Sequence, residues 1–344
     1  MFKSKLLALS VLVALFSCKK SEESLSEKPL GWEILETPVA ASLRGLSPLT
    51  DEIVWASGSN GTWLRTIDAG KSWDHGVING LDTVDFRSIH AFDALTAVAV
   101  SAGQPAVIYK TADGGKTWKL KHQENEFAFL DGISFSSQNH GFVIGDPFEG
   151  KWTILQTVNQ GESWYPLDSL PGAVEGEAAF AASATSLLAI GSQLWLATGG
   201  KESNLHYSND MGTTWEKFRA PLIQGESSQG IFSITSMGNG EIVAVGGDYL
   251  QEELQEGNSG IFVLDKKEWT KPQAGPGGYR SGTVYFPQQK WLIAVGPSGS
   301  DFSKDGGITW QPFSEEGFHA VMLGHAGGAV WASGTKGKIA KLKY

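Results

Sequence analysis

From Trp32 to the end of the chain, apolar residues occur in short runs separated by clusters of Gly, Asn, Asp and Ser. The runs are rich in β-branched and aromatic residues, and several end in small residues, as at positions 54–58, 98–101 and 243–246. No apolar stripe repeats with the helical period of about 3.6 residues. Short runs bounded by turn-forming residues are typical of strands. The pattern therefore predicts an all-β protein.

A motif of eight residues recurs between successive strand pairs. Its clearest copy, Thr-Ala-Asp-Gly-Gly-Lys-Thr-Trp, occupies positions 111–118, and further copies occupy 66–73, 157–164, 208–215 and 303–310. A worn copy at 263–269 has lost its glycine. The Asp or Asn can accept hydrogen bonds from nearby backbone N–H groups, and the Gly two positions later readily adopts a positive φ. Each copy therefore predicts a tight turn between two strands, followed by a Trp that anchors the second strand.

These turns are predicted to be structural. Each copy offers a single carboxylate or amide, whereas a calcium site needs several oxygen ligands in one loop. We therefore predict no metal site in the turns and no cofactor. The residues assigned this structural role are Asp68, Asp113, Asn159, Asp210 and Asp305.

The spacing of the Trp anchors predicts the architecture. Trp residues at 32, 73, 118, 164, 215, 269 and 310 are separated by 41, 45, 46, 51, 54 and 41 residues. That range suits the four-stranded blades of a β-propeller. The count favours seven blades, with six as the alternative if the worn copy marks a merged unit.

The two ends of the chain are predicted to complete one blade together. The last repeat, from Phe318 to Tyr344, stops after a third strand, and positions 32–35 look like a fourth strand with no blade before it. Pairing these ends would close the ring and remove both exposed sheet edges.

The first residues resemble a lipoprotein signal. Lys3 and Lys5 precede an apolar run from Leu6 to Phe16, which is too short to span a bilayer as a mature helix, and Cys18 follows Leu15-Phe16-Ser17. We therefore expect a signal peptide at 1–17, an acylated Cys18, a polar tether at 18–30 and a propeller at 31–344. The expected location is the cell envelope, lipid-anchored to a membrane on its periplasmic or surface side.

The charge of the chain excludes one class of partner. The formal net charge is −10, and removal of Lys3 and Lys5 with the signal would make it −12. Such an acidic protein lacks the basic surface that nucleic-acid binding requires. Cys18 is the only cysteine, so no intrachain disulfide is possible. A monomer is expected.

Candidate binding residues come from aligning the predicted first strands. The aligned column contains Arg44, Arg87, Asp131, Ala178, Phe232, Arg280 and His319. Charged residues near a core are costly unless they are paired or hydrated, so their grouping predicts a solvated mouth of the propeller axis. Loop residues at the same end add Asp146, Asp248 and Tyr249. The predicted ligand-binding set is Arg44, Arg87, Asp131, Glu177, Asp248, Arg280 and His319.

Two interpretations of this column remain open from the sequence. The arginines could pair with Asp131, Glu175 or Glu177 in a water-filled channel, or they could bind an anion through their planar guanidinium groups. A glycan-active propeller acting on acidic sugars, as a sialidase-like hydrolase or a polysaccharide lyase, is the alternative function. Its candidates would be Tyr249 or Tyr279 with Glu177, or one of His90, His206 and His319. No recognised catalytic motif is present, so no catalytic residue is assigned.

The eight-residue motif is identified as the Asp-box, or BNR repeat. Nearly the whole of 32–344 resembles the photosystem II stability/assembly factor family, through phrases such as Arg-Gly-Leu-Ser at 44–47 and Val-Trp-Ala-Ser-Gly at 54–58. The resemblance implies a seven-bladed propeller that binds another polypeptide without catalysis. We therefore expect a non-photosynthetic bacterial lipoprotein of this type, with an envelope protein or an acidic carbohydrate as its partner.

Overall fold

A computed structural model describes residues 25–325 and 327–344 of the chain, which fold into 30 strands. The predicted signal peptide at 1–17 and Cys18 lie outside these residues. Of the predicted tether, positions 25–30 are described: Leu25 and Leu30 are exposed, and the backbone N–H of Ser26 donates to Gln289 Oε1. No helix in the described part of the chain has the length and apolar character needed to cross a membrane.

The first three blades follow one another without interruption. Strand β1 spans Gly31–Leu35. Blade 1 contains β2 (Leu43–Pro48), β3 (Val54–Gly58), β4 (Thr62–Thr66) and β5 (Asp74–Val77). Blade 2 contains β6 (Asp85–Ala91), β7 (Ala97–Ala102), β8 (Val107–Thr111) and β9 (Lys119–Gln123). Blade 3 contains β10 (Leu130–Phe135), β11 (Gly141–Phe148), β12 (Lys151–Thr157) and β13 (Tyr165–Pro166).

The fourth blade is interrupted by a short extra pairing. The two-residue strands β14 (Glu177–Ala178) and β17 (Gly199–Gly200) pair with each other, and β17 also pairs with the next blade. Blade 4 itself contains β15 (Leu187–Ile190), β16 (Gln193–Ala197), β18 (Asn204–Ser208) and β19 (Glu216–Arg219). The expectation that Ala178 belongs to the first strand of this blade was wrong, since that strand begins only at Leu187.

The last three blades complete the ring. Blade 5 contains β20 (Gln229–Ser236), β21 (Glu241–Asp248), β22 (Ser259–Val263) and β23 (Glu268–Thr270). Blade 6 contains β24 (Gly282–Phe286), β25 (Trp291–Gly296), β26 (Gly299–Ser303) and β27 (Gln311–Ser314). Blade 7 contains β28 (Ala320–Leu323), β29 (Val330–Ser333) and β30 (Ile339–Lys343), and β1 is its fourth strand.

The architecture is an all-β propeller of seven blades, as predicted. Strands β1 and β30 pair antiparallel in register from Gly31↔Lys343 to Leu35↔Ile339, which closes the ring. The six-blade alternative is wrong, because the worn motif still joins two paired strands, β22 and β23, of a complete blade. Its turn is made by backbone bonds, with Lys267 at a φ of 54°.

The apolar core lies between adjacent blades. The Trp118 ring, which ends the Asp-box of blade 2, contacts Trp55 and Trp63 of blade 1, with ring centroids 6.3 and 6.2 Å apart. Near the axis, small hydroxyl residues join neighbouring innermost strands: Ser47 Oγ accepts from Ala91 N and Ser88 Oγ donates to Asp131 O. The innermost strands are therefore held at a fixed spacing around the axis.

The Asp-box turns adopt one hydrogen-bonded form. In the copy at 111–118, Asp113 Oδ1 accepts from Thr117 N at 2.9 Å, and Asp113 Oδ2 accepts from Thr117 Oγ1 at 2.6 Å. The Thr111 hydroxyl donates to Asp113 and accepts from Gly115 N at 3.0 Å. The same set is formed around Asp68, Asp210 and Asp305. Around Asn159 one bond is reversed, because its Nδ2 donates to Ser163 Oγ. All five turns lie at the face of the propeller where third strands lead into fourth strands.

Candidate binding site at the propeller axis

Four innermost strands carry an irregularity at the same level. The pairing of each innermost strand with the second strand of its blade shifts between Leu43 and Gly45, Asp85 and Ser88, Leu130 and Gly132, and Ile231 and Ser233. The shifts fall at Arg44, Arg87, Asp131 and Phe232. A β-bulge leaves a residue out of the regular ladder and re-aims its side chain. All four residues line one cavity at the end of the axis opposite the Asp-box turns.

The cavity has a volume of about 530 Å³ and is lined by loops and innermost strands of most blades. The second strand β11 contributes Asp146, and loops between second and third strands contribute Tyr249, Glu252 and Pro297. The segments that precede innermost strands contribute Phe129, Phe180, Tyr279 and His319. We call this the axial cavity and the face that contains it the loop face.

The two arginines of the axial cavity differ in their partners. Arg87 Nε donates to Asp85 Oδ2 at 2.7 Å, and both side chains are partly exposed. Arg44 forms no ion pair with any described residue; its Nη1 donates to the backbone oxygen of Ala182 at 3.2 Å. Burial, and then the neighbouring charge of Arg87, lower the pKa of Arg44. A guanidinium has five N–H donors, so most of the donors of Arg44 are available to a ligand.

Two carboxyl groups lie on the other side of the cavity. Asp131 is 1% exposed, and neither of its carboxyl oxygens has a hydrogen-bond partner among the described residues. Burial, and then the charge of Asp146, raise the pKa of Asp131 well above its usual value; Arg87 and the nearby N–H groups of Ala181 and Asp146 lower it only in part. Burial therefore favours the protonated form of Asp131, which can both donate and accept a hydrogen bond.

Asp146 titrates closer to neutrality. Its Oδ1 accepts from the backbone N–H of Ala179 at 2.9 Å, and burial raises its pKa to about 6. Across the cavity, His319 Nε2 lies 3.1 Å from Ser42 Oγ. Burial, and then the charges of Arg44 and Arg87, lower the pKa of His319 to about 3, so the imidazole is neutral.

An aromatic wall completes the cavity. The rings of Phe180 and Phe232 stack with centroids 3.8 Å apart, and Tyr279 meets Phe232 edge-on at 4.7 Å. Burial raises the pKa of Tyr279, so its hydroxyl is neutral. The axial cavity thus combines a cation that forms no ion pair with a described residue, two carboxyl groups, neutral hydrogen-bonding groups and an apolar surface.

Three residues of the predicted set lie outside the axial cavity. Arg280 and Asp301 form a buried ion pair, with Nε 2.5 Å from Oδ2. Asp248 accepts from Gln229 and from Leu250 N. Glu177 Oε1 lies 3.0 Å from His206 Nε2; burial opposes its ionisation, but bonds from His206, Thr198, Val174 and Asn204 outweigh it and lower its pKa to about 2.

Two arrangements considered from the sequence are not formed among the described residues. Under one interpretation the arginines pair with Asp131, Glu175 or Glu177, but among the described residues their ion-pair partners are Asp74, Asp85 and Asp301. Asp131 lacks a hydrogen-bond partner and Glu177 is bonded to His206. The Tyr–Glu pair of a sialidase-like site is not assembled either, since Glu177 lies away from the cavity that Tyr279 lines. Of the predicted set, Arg44, Arg87, Asp131 and His319 are brought together.

Sequence reasoning missed Phe180 and the segment around it. Residues 178–182 read Ala-Ala-Phe-Ala-Ala, without the alternation of a half-buried strand, and they form a loop that enters the cavity. That one large residue in a run of alanines was the only available signal. The contribution of Phe129 was also missed, because its position next to Asp146 depends on a backbone bond from Asp146 N to Phe129 O.

Comparisons with known proteins agree with this architecture. The family described as Photosynthesis system II assembly factor YCF48 matches residues 24–126, and the BNR/Asp-box repeat matches residues 301–312. The chain is 30% identical over 140 residues to the chloroplastic photosystem II stability/assembly factor HCF136 of Oryza sativa subsp. japonica. That match covers 38% of this chain and 31% of the relative, so the chain spans about a third of the relative's length.

Solved structures share the fold over most of the chain. One described as YCF48 bound to D1 peptide has a TM-score of 0.66 at 16% identity and covers 95% of this chain and 100% of its own. YCF48 from Cyanidioschyzon merolae has a TM-score of 0.63 at 15% identity, covering 91% and 98%. The GH74 xyloglucanase from Xanthomonas campestris has a TM-score of 0.62 at 12% identity, covering 90% and 53%. The chain is therefore a β-propeller with Asp-box turns that is similar to YCF48 in fold and matches the YCF48 family in sequence over residues 24–126.

Proposed function

We propose that this protein binds a partner polypeptide on its loop face, with a carboxylate of the partner held in the axial cavity, and that it performs no catalysis. The observation that carries the proposal is Arg44, a partly buried guanidinium that forms no ion pair among the described residues. A buried or half-buried charge without a partner is costly, so such a group is expected to be completed by a ligand.

The unused hydrogen-bond donors of Arg44 favour an anionic ligand. Burial favours the protonated form of Asp131, His319 is neutral, and the charge of Arg87 is matched by Asp85. Asp146 has a pKa of about 6 and is largely ionised at pH 7, but its bonded partner is the backbone N–H of Ala179 and not Arg44. Arg44 is therefore the cation of the cavity that lacks a bonded carboxylate among the described residues. A carboxylate can accept two parallel N–H···O bonds from a guanidinium, which are stronger than bonds between neutral groups.

The shape and chemistry of the remaining surface favour a polypeptide over a small ion. The Phe180–Phe232 stack offers an apolar surface, and Asp131 offers an unsatisfied donor and acceptor that suit a peptide group. The similarity to YCF48, one structure of which is described as bound to a D1 peptide, supports a protein partner. The carboxylate could be a chain end or an acidic side chain, and the experiment below separates the two.

A direct test uses the full-length protein in a non-ionic detergent and fluorescently labelled pentapeptides. A Gly/Ala peptide with a free carboxyl end, its carboxamide, and a carboxamide peptide ending in Glu would be titrated by fluorescence anisotropy. We expect at least one of the two carboxylate peptides to bind at least tenfold more tightly than the plain carboxamide. Arg44→Ala should remove this difference. Equal binding of acid and amide peptides to the wild type would refute the proposal.

We also propose that Cys18 is acylated and that the propeller is anchored to a cell-envelope membrane. This rests on the positively charged start, the short apolar run and the position of Cys18 after it. A cell fractionation experiment tests it: the wild type should partition with membranes and carry a labelled fatty acid, whereas Cys18→Ser should be unlabelled. Labelling that persists in Cys18→Ser would contradict acylation at this residue.

Glycan cleavage is the second candidate. One observation favours it: Asp146, with a pKa of about 6, lines the same cavity as Asp131, whose burial raises its pKa, as an acid–base pair would require. Incubation with polyuronates, followed by assay of new reducing ends or unsaturated products, distinguishes the two functions. Turnover abolished by Asp146→Asn would establish the enzyme, and its absence alongside peptide binding would leave the binding function.

A further inference from the structure

Two exposed phenylalanines form a stacked pair on the loop face. Phe127, before β10, is 67% exposed, and Phe148, at the end of β11, is 45% exposed. Their ring centroids are 5.5 Å apart and their planes differ by 10°. We call this pair the aromatic platform. Exposed aromatic surface of this kind is enriched at sites that bind other proteins.

The aromatic platform continues the rim of the axial cavity. Phe129 and Asp146 both line the cavity, and the backbone N–H of Asp146 donates to Phe129 O at 2.9 Å. Phe127 lies two residues before Phe129, and Phe148 lies two residues after Asp146. Two residues span at most about 7 Å of chain. A polypeptide that leaves the cavity on this side therefore meets the platform after two or three residues.

The charge around the aromatic platform is opposite to that of Arg44. Glu126 and Glu149 are exposed neighbours of the two phenylalanines, and neither forms an ion pair with another described residue. Lys151, the cross-strand partner of Phe148, is the nearby cation. The carboxylates outnumber it, so this surface is complementary to a cation.

We propose that the aromatic platform binds an Arg or Lys side chain of the same polypeptide whose carboxylate occupies the axial cavity, two to three residues away along its chain. The proposal rests on the proposed function and specifies the partner further. A guanidinium or ammonium over aromatic rings gains a cation–π interaction, and Glu126 and Glu149 add charge complementarity. The site would thus recognise a pair of opposite charges at a fixed spacing.

The test varies one peptide position. The full-length protein in detergent would be titrated with acetyl-Gly-Ala-Arg-Gly-Ala bearing a free carboxyl end, and with versions that carry Lys, norleucine, Ala or Glu in place of Arg. Matching peptides with a carboxamide end, and with a terminal Glu carboxamide, complete the set. We expect the Arg peptide to bind about five- to twentyfold more tightly than the Ala peptide, and the Glu peptide to bind most weakly.

Variants assign that preference to the platform. In Phe127→Ser/Phe148→Ser, the Arg and Ala peptides should bind equally, with the affinity of the Ala peptide unchanged. Glu126→Gln/Glu149→Gln should reduce the preference in part. Tyr165→Ser, which removes an aromatic side chain that is 57% exposed on the outer strand β13, is the matched control and should keep the full preference.

The outcomes separate this inference from the proposed function. An Arg preference that survives in Phe127→Ser/Phe148→Ser, or a norleucine peptide that binds as tightly as the Arg peptide, overturns the platform proposal. In either case, the proposed axial site is still supported if carboxylate peptides bind more tightly than carboxamide peptides and Arg44→Ala removes that difference. If the wild type binds carboxylate and carboxamide peptides with equal affinity, the axial site itself is refuted, whichever residue the peptide carries at its third position.

Discussion

The Asp-box turns and the bulged innermost strands both recur around the ring, but they differ in how many of their polar side-chain atoms have a hydrogen-bond partner. In the turn at 111–118, the hydroxyls of Thr111 and Thr117 and both carboxylate oxygens of Asp113 are bonded within the motif. In the bulges, Asp131 has no partner for either carboxyl oxygen, and Arg44 has one backbone contact.

The difference separates scaffold from binding surface. A turn that satisfies its own polar groups can be repeated in every blade without reference to its neighbours. A bulge aims its side chain at the axis, where residues from several blades meet, so its identity can vary from blade to blade. The most repetitive residues of this chain are therefore structural, and the most variable column carries the candidate site.

Arg280 shows that a position in the aligned column does not by itself place a side chain in the axial cavity. It aligns with Arg44 and Arg87, yet its guanidinium is buried against Asp301 and also donates to Tyr279 O and Ser298 Oγ. The same residue type at aligned positions thus serves the scaffold in blade 6, where Arg280 lies just before β24, and the cavity in blade 1, where Arg44 lies within β2. Mutations that compare these arginines test the distinction directly.

The largest expected effect is that of Arg280→Ala on stability. Removal of this partner leaves Asp301 buried and uncompensated, so the free energy of unfolding should fall by about 3–5 kcal/mol. Urea denaturation followed by Trp fluorescence measures it. The double variant Arg280→Met/Asp301→Leu, which removes both charges, should recover much of the loss. A loss below about 1 kcal/mol for Arg280→Ala would contradict the assignment of Arg280 to the scaffold.

Asp146→Asn should raise stability, and only at neutral and higher pH. The pKa of Asp146 in the folded protein, about 6, lies above its ordinary value of 3.8. Its protonated form is therefore favoured by folding, and that contribution is present below about pH 4 and lost as pH rises through 6. At pH 8 the variant should be more stable by about 1–2 kcal/mol. The two proteins should converge at pH 4, and a gap that persists there would refute the titration of Asp146 as its cause.

Asp305→Ala should have a smaller effect, confined to stability. Burial opposes ionisation of Asp305, but bonds from Thr309 and Ser303 outweigh it and lower its pKa, so its stabilising contribution is present at neutral pH and is lost on acidification through the folded pKa. Loss of these bonds should cost about 1 kcal/mol at pH 7, with peptide binding unchanged.

Asp305→Asn is the control for this turn. Asn159 occupies the same position in blade 3, where its Oδ1 accepts from Ser163 N and its Nδ2 donates to Ser163 Oγ. An amide therefore maintains the turn, and the Asn variant should be more stable than the Ala variant. Thermal unfolding of the three proteins decides the order. Equal Tm values for wild type and Asp305→Ala would show that the turn does not depend on this side chain.

The smallest expected change in stability is that of Arg44→Ala. Its guanidinium makes one backbone bond and lies beside another cation, Arg87, so its removal should alter the free energy of unfolding by no more than about 0.5 kcal/mol. Binding of carboxylate peptides should nevertheless weaken at least tenfold. A stability loss as large as that of Arg280→Ala would place Arg44 in the scaffold and end the distinction between the two arginines.

Prediction from the sequence was most complete where interactions are local. The Asp-box turns follow from residues within one octet, and the pairing of β1 with β30 follows from an unpaired strand at each end of the propeller. Prediction was weaker in blade 4, where Ala178 aligned with the column but pairs with Gly199 in a separate short ladder. The residues of 177–200 do not by themselves indicate this short ladder, because it depends on the pairing of β17 with β20 of the next blade.

The repeat, the turn chemistry, the number of blades and the closure of the ring could all be predicted from the sequence, because each rests on contacts between residues close in the chain or on a count of strands. Which polar side chains have a bonded partner could be read only from the folded molecule. Glu177 is bound by His206, Arg280 by Asp301, and Arg44 by no carboxylate among the described residues. These outcomes depend on side chains from distant positions that meet at the axis, where burial sets both the pKa values and the available partners.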